Sequence, residues 1–281
     1  MFNRNLNMIF LFVIILCWSG KAEESENKPR IVRRMIGGKR VEIEDYPYMI
    51  AIFNQRIQGR FSGDFLATFT LITTRTALGV AHVVTNYTIE GLYGTVGHKD
   101  KYFGRKVYFT KKVQHPNFVG DLFHYDIALL IIKDVVSKVA TSVLPSFVHP
   151  IALPHKNRDC PSSRTLIIGW GRTGTGMQDT THYLHAADVN VIKVSDTPYK
   201  GNPMYESKSL ILTRKQGVST MIGDSGGPLI SLENGNTPVL IGVTSASEKK
   251  PGGVNFHLST IYFIDFITRN SVGDLTFVNC K

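Results

Sequence analysis

The segment Gly223-Asp224-Ser225-Gly226-Gly227-Pro228-Leu229 is where this chain's residue types most clearly could do chemistry. A serine flanked by glycines lets backbone approach a substrate carbonyl closely, and the N–H groups of Gly223 and Ser225 can converge on a developing oxyanion. A serine hydroxyl is a weak nucleophile alone, so it needs a base to take its proton and a third group to orient that base. Two upstream residues have the required types: His82 in Gly79-Val-Ala-His82-Val83, and Asp126 in His124-Tyr-Asp126-Ile-Ala-Leu-Leu130. Taken singly, a histidine after a strand or an aspartate before one is ordinarily structural. Together the three supply nucleophile, base and orienting carboxylate for acyl transfer.

Elements far apart in sequence must carry these residues to one place. Short runs rich in β-branched and aromatic residues recur, as at Tyr48-Met-Ile-Ala-Ile-Phe53, Lys106-Val-Tyr-Phe-Thr110 and Asp126-Ile-Ala-Leu-Leu-Ile-Ile132, with Gly, Pro, Asn and Asp between them. This is an all-β pattern of barrel or sandwich type. A proline-bearing stretch over residues 144–163 reads as a linker before a second group of strands at 166–170, 187–193 and 238–243. Near residues 259–269, Tyr262, Phe263, Phe266 and Ile267 recur at helical spacing, which predicts a C-terminal helix.

In this order, His82, Asp126 and Ser225 resemble the catalytic set of the trypsin/chymotrypsin-type serine proteases. The likeness spans about residues 35–270 and includes Thr70-Leu-Ile-Thr73 ahead of Val80-Ala-His82, Gln114-His-Pro-Asn-Phe118, and Ile168-Gly-Trp170-Gly171. It implies two antiparallel six-stranded β-barrels, one about 36–142 and one about 164–257, followed by a C-terminal helix about 259–269. The resemblance makes His82 the general base and acid, Asp126 the group that holds its tautomer, and Ser225 the nucleophile, with Gly223 and Ser225 as oxyanion donors. Ser245 matches the family serine that hydrogen-bonds the triad aspartate. The implied activity is hydrolysis of peptide bonds in protein or peptide substrates through an acyl-enzyme, without a cofactor or metal.

Activation and specificity also follow from the resemblance. Arg34-Met35-Ile36-Gly37-Gly38 is similar to the family's activation site, where an activating protease cuts after the basic residue. The new α-amino group of Met35 would then pair with Asp224 and order the oxyanion segment. Met35 stands where the family has Ile or Val, and a solvated basic pair at Arg33-Arg34 is the plain alternative. A competing cut after Arg30 would expose Ile31-Val32-Arg33-Arg34, which lacks the glycines. The pocket floor maps to Ser219 rather than to the aspartate of trypsin-like members, with Ser247 and Gly253 as walls, so an apolar or aromatic side chain is expected. Ala246 replaces the family tryptophan beside the substrate backbone, and the loop Glu248-Lys-Lys-Pro-Gly252 is short. Both changes keep open a second reading, a catalytically weak or inactive homologue acting as a binding or regulatory protein. Protease inhibitors are expected partners of an active form.

Only three cysteines are present: Cys17, Cys160 and Cys280. Ala67 and Val83 stand where the family brackets its histidine with a disulfide, and Met221 replaces the cysteine that braces the pocket. At about 2–5 kcal/mol per lost native bridge, packing must compensate. Cys160 and Cys280 either form a bridge of their own, as the resemblance to some trypsins suggests, or remain thiols.

The N-terminus carries Arg4, then an apolar run from Met8 to Trp18, then Ser19-Gly20-Lys21-Ala22. This is the pattern of a signal peptide over residues 1–20, with a polar propeptide over 21–34 and a protease domain over 35–281; its apolar core is too short to span a bilayer. A secreted, extracellular protein with no membrane partner is expected, and Asn86-Tyr87-Thr88 offers a glycosylation sequon. The formal charge of +10 permits an anionic partner, including an extracellular glycan. The basic residues are nevertheless scattered, without interleaved aromatics or a nucleic-acid module, so nucleic acid is not expected.

Overall fold

The β-branched runs become strands that close on themselves twice. The computed structural model describes residues 36–55, 64–120, 124–133, 144–156, 164–174, 176, 181–233 and 237–280. The strands, in chain order, are β1 (Lys39–Arg40), β2 (Met49–Asn54), β3 (Asp64–Leu71), β4 (Thr76–Gly79), β5 (Leu92–Val96), β6 (Arg105–Gln114), β7 (Ala128–Ile132), β8 (Leu153–Pro154) and β9 (Thr165–Gly169). They continue as β10 (His185–Ile192), β11 (Leu210–Arg214), β12 (Pro228–Glu233), β13 (Thr237–Ser247), β14 (Asn255–Ser259) and β15 (Phe277–Val278). Helix α1 (Ala81–Val84) follows β4, and α2 (Ile264–Asn270) follows β14.

Barrel one is the closed order β2-β3-β4-β7-β6-β5. Barrel two runs β10-β11-β14-β13-β12-β9 and closes through β9 pairing with β10, while β1 adds to the outside of β10. All the barrel pairings are antiparallel, and closure leaves no long unpaired edge. The chain is therefore the expected all-β fold of two six-stranded barrels.

Both barrels lie within one compact unit of residues 33–281. A single apolar cluster joins Leu71, Leu78, Leu129 and Ile131 of barrel one to Leu166, Leu212 and Phe256 of barrel two and to Ile264 and Ile267 of α2. Ala67 is fully buried and Met221 is 7% exposed, so these two positions, which the family resemblance associates with cysteine, are packed. Each buried Leu or Ile is worth about 1.5–3 kcal/mol, so a few well-packed side chains offset an absent bridge. Cys280 is buried beside Ile167, Val239 and Ile241 in a second cluster.

The helix begins later than residue 259. Ser259 is still paired with Gly242 at the end of β14, and the Phe263 N–H closes a turn back to the Ser259 carbonyl before α2 starts. The proline-bearing stretch is not wholly irregular either, because β8 within it pairs in parallel with β15. Residues 1–35, including the expected signal peptide, propeptide, Arg34 and Met35, lie outside the described residues, as does Cys160. Among the described residues no helix is long and apolar enough to cross a membrane.

Candidate active site

His82 sits on α1, a four-residue helix directly after β4. So short a helix has little stability of its own, and its C-terminal carbonyls need partners. Lys112 Nζ supplies them, donating to the carbonyls of Val84, Thr85 and Tyr87 at 2.7, 3.1 and 2.9 Å. The two hydrogen bonds that His82 makes among the described residues both go to Asp126. Its backbone N–H donates to Oδ1 at 2.8 Å, and its ring Nδ1 lies 2.7 Å from Oδ2. An ionised carboxylate only accepts, so this contact places the proton on Nδ1 and leaves Nε2 with a lone pair.

Asp126 is fully buried just before β7 and accepts a third bond from Ser245 Oγ at 2.7 Å. Two local irregularities aim these groups. Tyr125 has φ 52°, a left-handed conformation costing about 1–2 kcal/mol for a non-glycine residue, and its ring stacks on His115 at 4.6 Å. Ser245 is the extra residue of a bulge: Thr244 pairs with His257 and Ala246 with Phe256, which leaves Ser245 unpaired and turned toward Asp126.

Ser225 lies in the turn before β12. Gly223 and Gly226 have φ of 99° and 82°, and a Cβ on Gly226 would lie 2.5 Å from the Thr68 carbonyl, so both positions require glycine. The turn is tied down on both sides. Thr68 Oγ1 donates to the Gly223 carbonyl at 2.9 Å, the Thr68 N–H donates to the Ser225 carbonyl, and the Gly226 N–H donates to the Thr244 carbonyl. Among the described residues no acceptor takes the N–H of Gly223 or of Ser225. Both residues line a cleft of about 300 Å³ together with His82, Leu66, Met221, Ala246 and Ser247.

Asp224 points the other way, into the interior. Its carboxylate accepts from the N–H groups of Met221 at 2.9 Å and Gly171 at 2.8 Å. Burial pushes its pKa up to about 7, against those two hydrogen bonds and the charge of Lys101, which pull it down. The Ile36 carbonyl accepts from the Ser219 N–H, so the chain following residue 35 lies on residues 217–219, close in sequence to Met221.

The pocket residues divide. Ser247 lines the cleft and donates to the Thr220 carbonyl at 2.7 Å. Ser219 is fully buried, with its hydroxyl turned to the Thr220 carbonyl and Asn255 Oδ1, and neither it nor Gly253 is among the lining residues. Among the described residues, Lys249 and His82 are the titratable side chains of the lining.

A buried polar network behind the cleft escaped sequence reasoning. Asn255 Oδ1 accepts from the Thr220 N–H and hydroxyl at 2.8 and 3.0 Å. Its amide Nδ2 donates to Thr213 Oγ1, which contacts His257 Nε2 at 2.9 Å, and His257 Nδ1 reaches Thr244 Oγ1 at 3.1 Å. Burial pushes the His257 pKa down to about 3. Asn255 and His257 alternate with Phe256 and Leu258 along β14 in an ordinary strand pattern, so no local signal marks them. Among the described residues no group of three or more His, Cys, Asp or Glu side chains is placed to hold a metal ion.

Two closed barrels with a serine, a histidine and a buried aspartate at one cleft define the serine-protease class of architecture. The Trypsin family model matches residues 35–267, and the chain belongs to that family. It is similar to CLIP domain-containing serine protease B4 of Anopheles gambiae, 25% identical over 267 residues, covering 86% of this chain and 71% of that protein. It is similar at 25% identity to Trypsin-1 of Astacus astacus over 249 residues, 85% of this chain and 100% of that protein. It is also 25% identical over 220 residues to Inactive CLIP domain-containing serine protease A28 of Anopheles gambiae, covering 72% of this chain and 54% of that protein.

Proposed function

We propose that this protein is a secreted serine endopeptidase, made as a zymogen and activated by cleavage after Arg34. The observation that carries the reading is the bond from His82 Nδ1 to Asp126, which leaves Nε2 basic in the same cleft as Ser225. Ser225 Oγ attacks the scissile carbonyl while His82 takes its proton. The N–H groups of Gly223 and Ser225 stabilise the oxyanion, and His82 then protonates the leaving amine. Asp126 stabilises the imidazolium through the bond to Nδ1, while the bond from the His82 backbone N–H holds the carboxylate in place. Water hydrolyses the acyl-enzyme by the same steps, and no cofactor is required.

Activation turns on Asp224. A buried carboxylate lacking a full counter-charge is costly, and the amino group of Met35, freed one residue before the docked Ile36, would supply one. The activating partner is a protease that cuts after a basic residue. Proteinaceous inhibitors of serine proteases would be further partners. A bridge between Cys160 and Cys280 is part of the proposal, supported by the burial of Cys280, which has a bonding partner.

The cleft walls favour an apolar side chain at the cleaved bond. Leu66, Met221, Ile222 and Ala246 line it, no carboxylate does among the described residues, and Lys249 opposes a cationic substrate. Phe or Leu substrates should therefore be cut faster than Arg or Lys substrates; the reverse order would overturn this preference.

The second reading, a protease-fold protein without turnover, draws on the open wall at Ala246 and on the likeness to a relative named inactive. One experiment separates the two. The purified protein, cut after Arg34, is exposed to a fluorophosphonate probe, with Ser225→Ala as control. Labelling that depends on Ser225 supports the enzyme, whereas a folded, cut protein that stays unlabelled supports the binding role.

A further inference from the structure

Lys101 has no place in the catalytic scheme, yet it is 3% exposed. An ammonium in the interior needs counter-charge or gives up its proton. Its Nζ donates to the Trp170 carbonyl at 3.4 Å and lies 3.7 Å from the centre of the Phe65 ring. The peptide group joining Trp170 to Gly171 turns its other end, the Gly171 N–H, to Asp224 Oδ1 at 2.8 Å. One peptide group is thus held between a buried cation at its carbonyl and a buried anion at its N–H, and each charge polarises it toward the other.

The neighbourhood is close-packed. A Cβ on Gly171 would lie 2.3 Å from the Asp224 carboxyl carbon, and one on Gly223 would lie 2.7 Å from Phe65 Cε1. Among the described residues the titratable groups on this side include Tyr102, Asp100 and His182. Tyr102 presents its ring at 5.6 Å from the Lys101 ammonium, and Asp100 already accepts from the Tyr102 N–H and lies 3.8 Å from His182 Nδ1. Burial lowers the Lys101 pKa to about 8, with the charges of Asp224 and Asp100 drawing it back up.

We propose that Lys101 is a positioning residue: through the peptide group between Trp170 and Gly171 it supplies the counter-charge that holds Asp224, and with it residues 221–225, before cleavage after Arg34. The inference rests on the serine-protease reading and deepens its regulation. The uncleaved chain keeps basal reactivity at Ser225, and cleavage raises it by adding the Met35 amino group as a second counter-charge.

The test uses the full chain with Arg34→Gln, which blocks cleavage, alone and combined with Lys101→Met or Lys101→Arg. Two quantities are read: hydrogen exchange of the Gly171 and Met221 amides, and fluorophosphonate labelling of Ser225. Lys101→Met should speed exchange of both amides and slow labelling, each by about tenfold or more, the equivalent of one pKa unit of coupling. Lys101→Arg, which keeps the charge on a larger head, should retain more labelling and more amide protection than Lys101→Met. In the cleavable background, Lys101→Met should regain labelling once cut, because the new amino group takes over; a merely structural lesion would persist. Unchanged amide exchange, or slow labelling that survives cleavage, would overturn the proposal. If no form labels even after cutting, the protease reading fails while amide exchange still decides the role of Lys101. Should Lys101→Met not fold, the double variant with Asp224→Asn should fold better than Lys101→Met alone, and no such rescue would also overturn it.

Discussion

The two halves of the cleft are built on different physics. Behind His82 and Asp126 the interior is hydrocarbon: Leu78, Val80, Ala81, Ile127, Ala128 and Leu129 are all fully buried. Behind the pocket wall the interior is polar, with Thr213, Thr220, Thr244, Asn255 and His257 bonded to one another at 3% exposure or less. Apolar packing is strong and non-directional, whereas a satisfied polar network fixes geometry and penalises any missing member. The base is therefore held by bulk packing plus two bonds to one carboxylate, which Ser245 holds in turn. The pocket wall, which has Met221 where the resemblance expects a bracing cysteine, is held by a chain of hydrogen bonds running from Thr220 to Thr244.

The largest effect should come from the carboxylate shared by the base half. Asp126→Asn should slow Ser225 labelling in the cut protein by about 10⁴-fold, because the carboxamide favours the wrong imidazole tautomer. Thermal unfolding should show the fold retained, and a loss under about 100-fold would mean that orientation of His82 is not limiting.

The next pair tests the contrast directly. Leu78→Ala should cost about 2–5 kcal/mol in urea unfolding yet leave substrate preference unchanged. Asn255→Ala should cost about 3 kcal/mol, because the Thr220 N–H and hydroxyl lose their acceptor, and should also change the ranking of apolar substrates. Equal effects on preference would erase the distinction between the halves.

Acid should find the polar half first. The folded pKa of His257 lies near 3, below the ordinary histidine value of 6.5, so between those values the unfolded chain binds the proton and the folded chain does not. Stability due to this group is complete above about pH 6.5 and falls by about 1.4 kcal/mol per pH unit as pH drops toward 3. Urea unfolding at pH 7 and 5.5 should show a shallower loss in His257→Gln than in the parent. An unaltered slope would mean that His257 carries its proton in the fold.

Smaller effects should follow at the surface. Lys112→Met removes the three bonds that close α1 and should cost about 1 kcal/mol, with several-fold slower labelling. Arg164→Ala breaks an exposed pair with Asp188 and should change stability by less than about 0.5 kcal/mol.

The all-β class was legible in the runs of β-branched and aromatic residues, and the seven-residue serine motif carried the family resemblance that implied two barrels, because both are local patterns. So were the types and order of His82, Asp126 and Ser225. The orientation of Ser219 was not: the family resemblance implies a pocket-floor position, and the hydroxyl is drawn to the Thr220 carbonyl and to Asn255 on β14. Lys101 was equally hidden, since His98-Lys-Asp-Lys101 reads as an exposed polar run and only the packing of Phe65 and Trp170 buries it.

By itself, then, the sequence determined which chemical groups are present, their order along the chain, and which runs become strands. The last of these is set by neighbours within a few positions. The tertiary structure alone decided the bulge that turns Ser245 to Asp126, the network under the pocket, and the peptide group held between Lys101 and Asp224. Those depend on desolvation and on contacts between strands distant in the chain, and no local pattern encodes either.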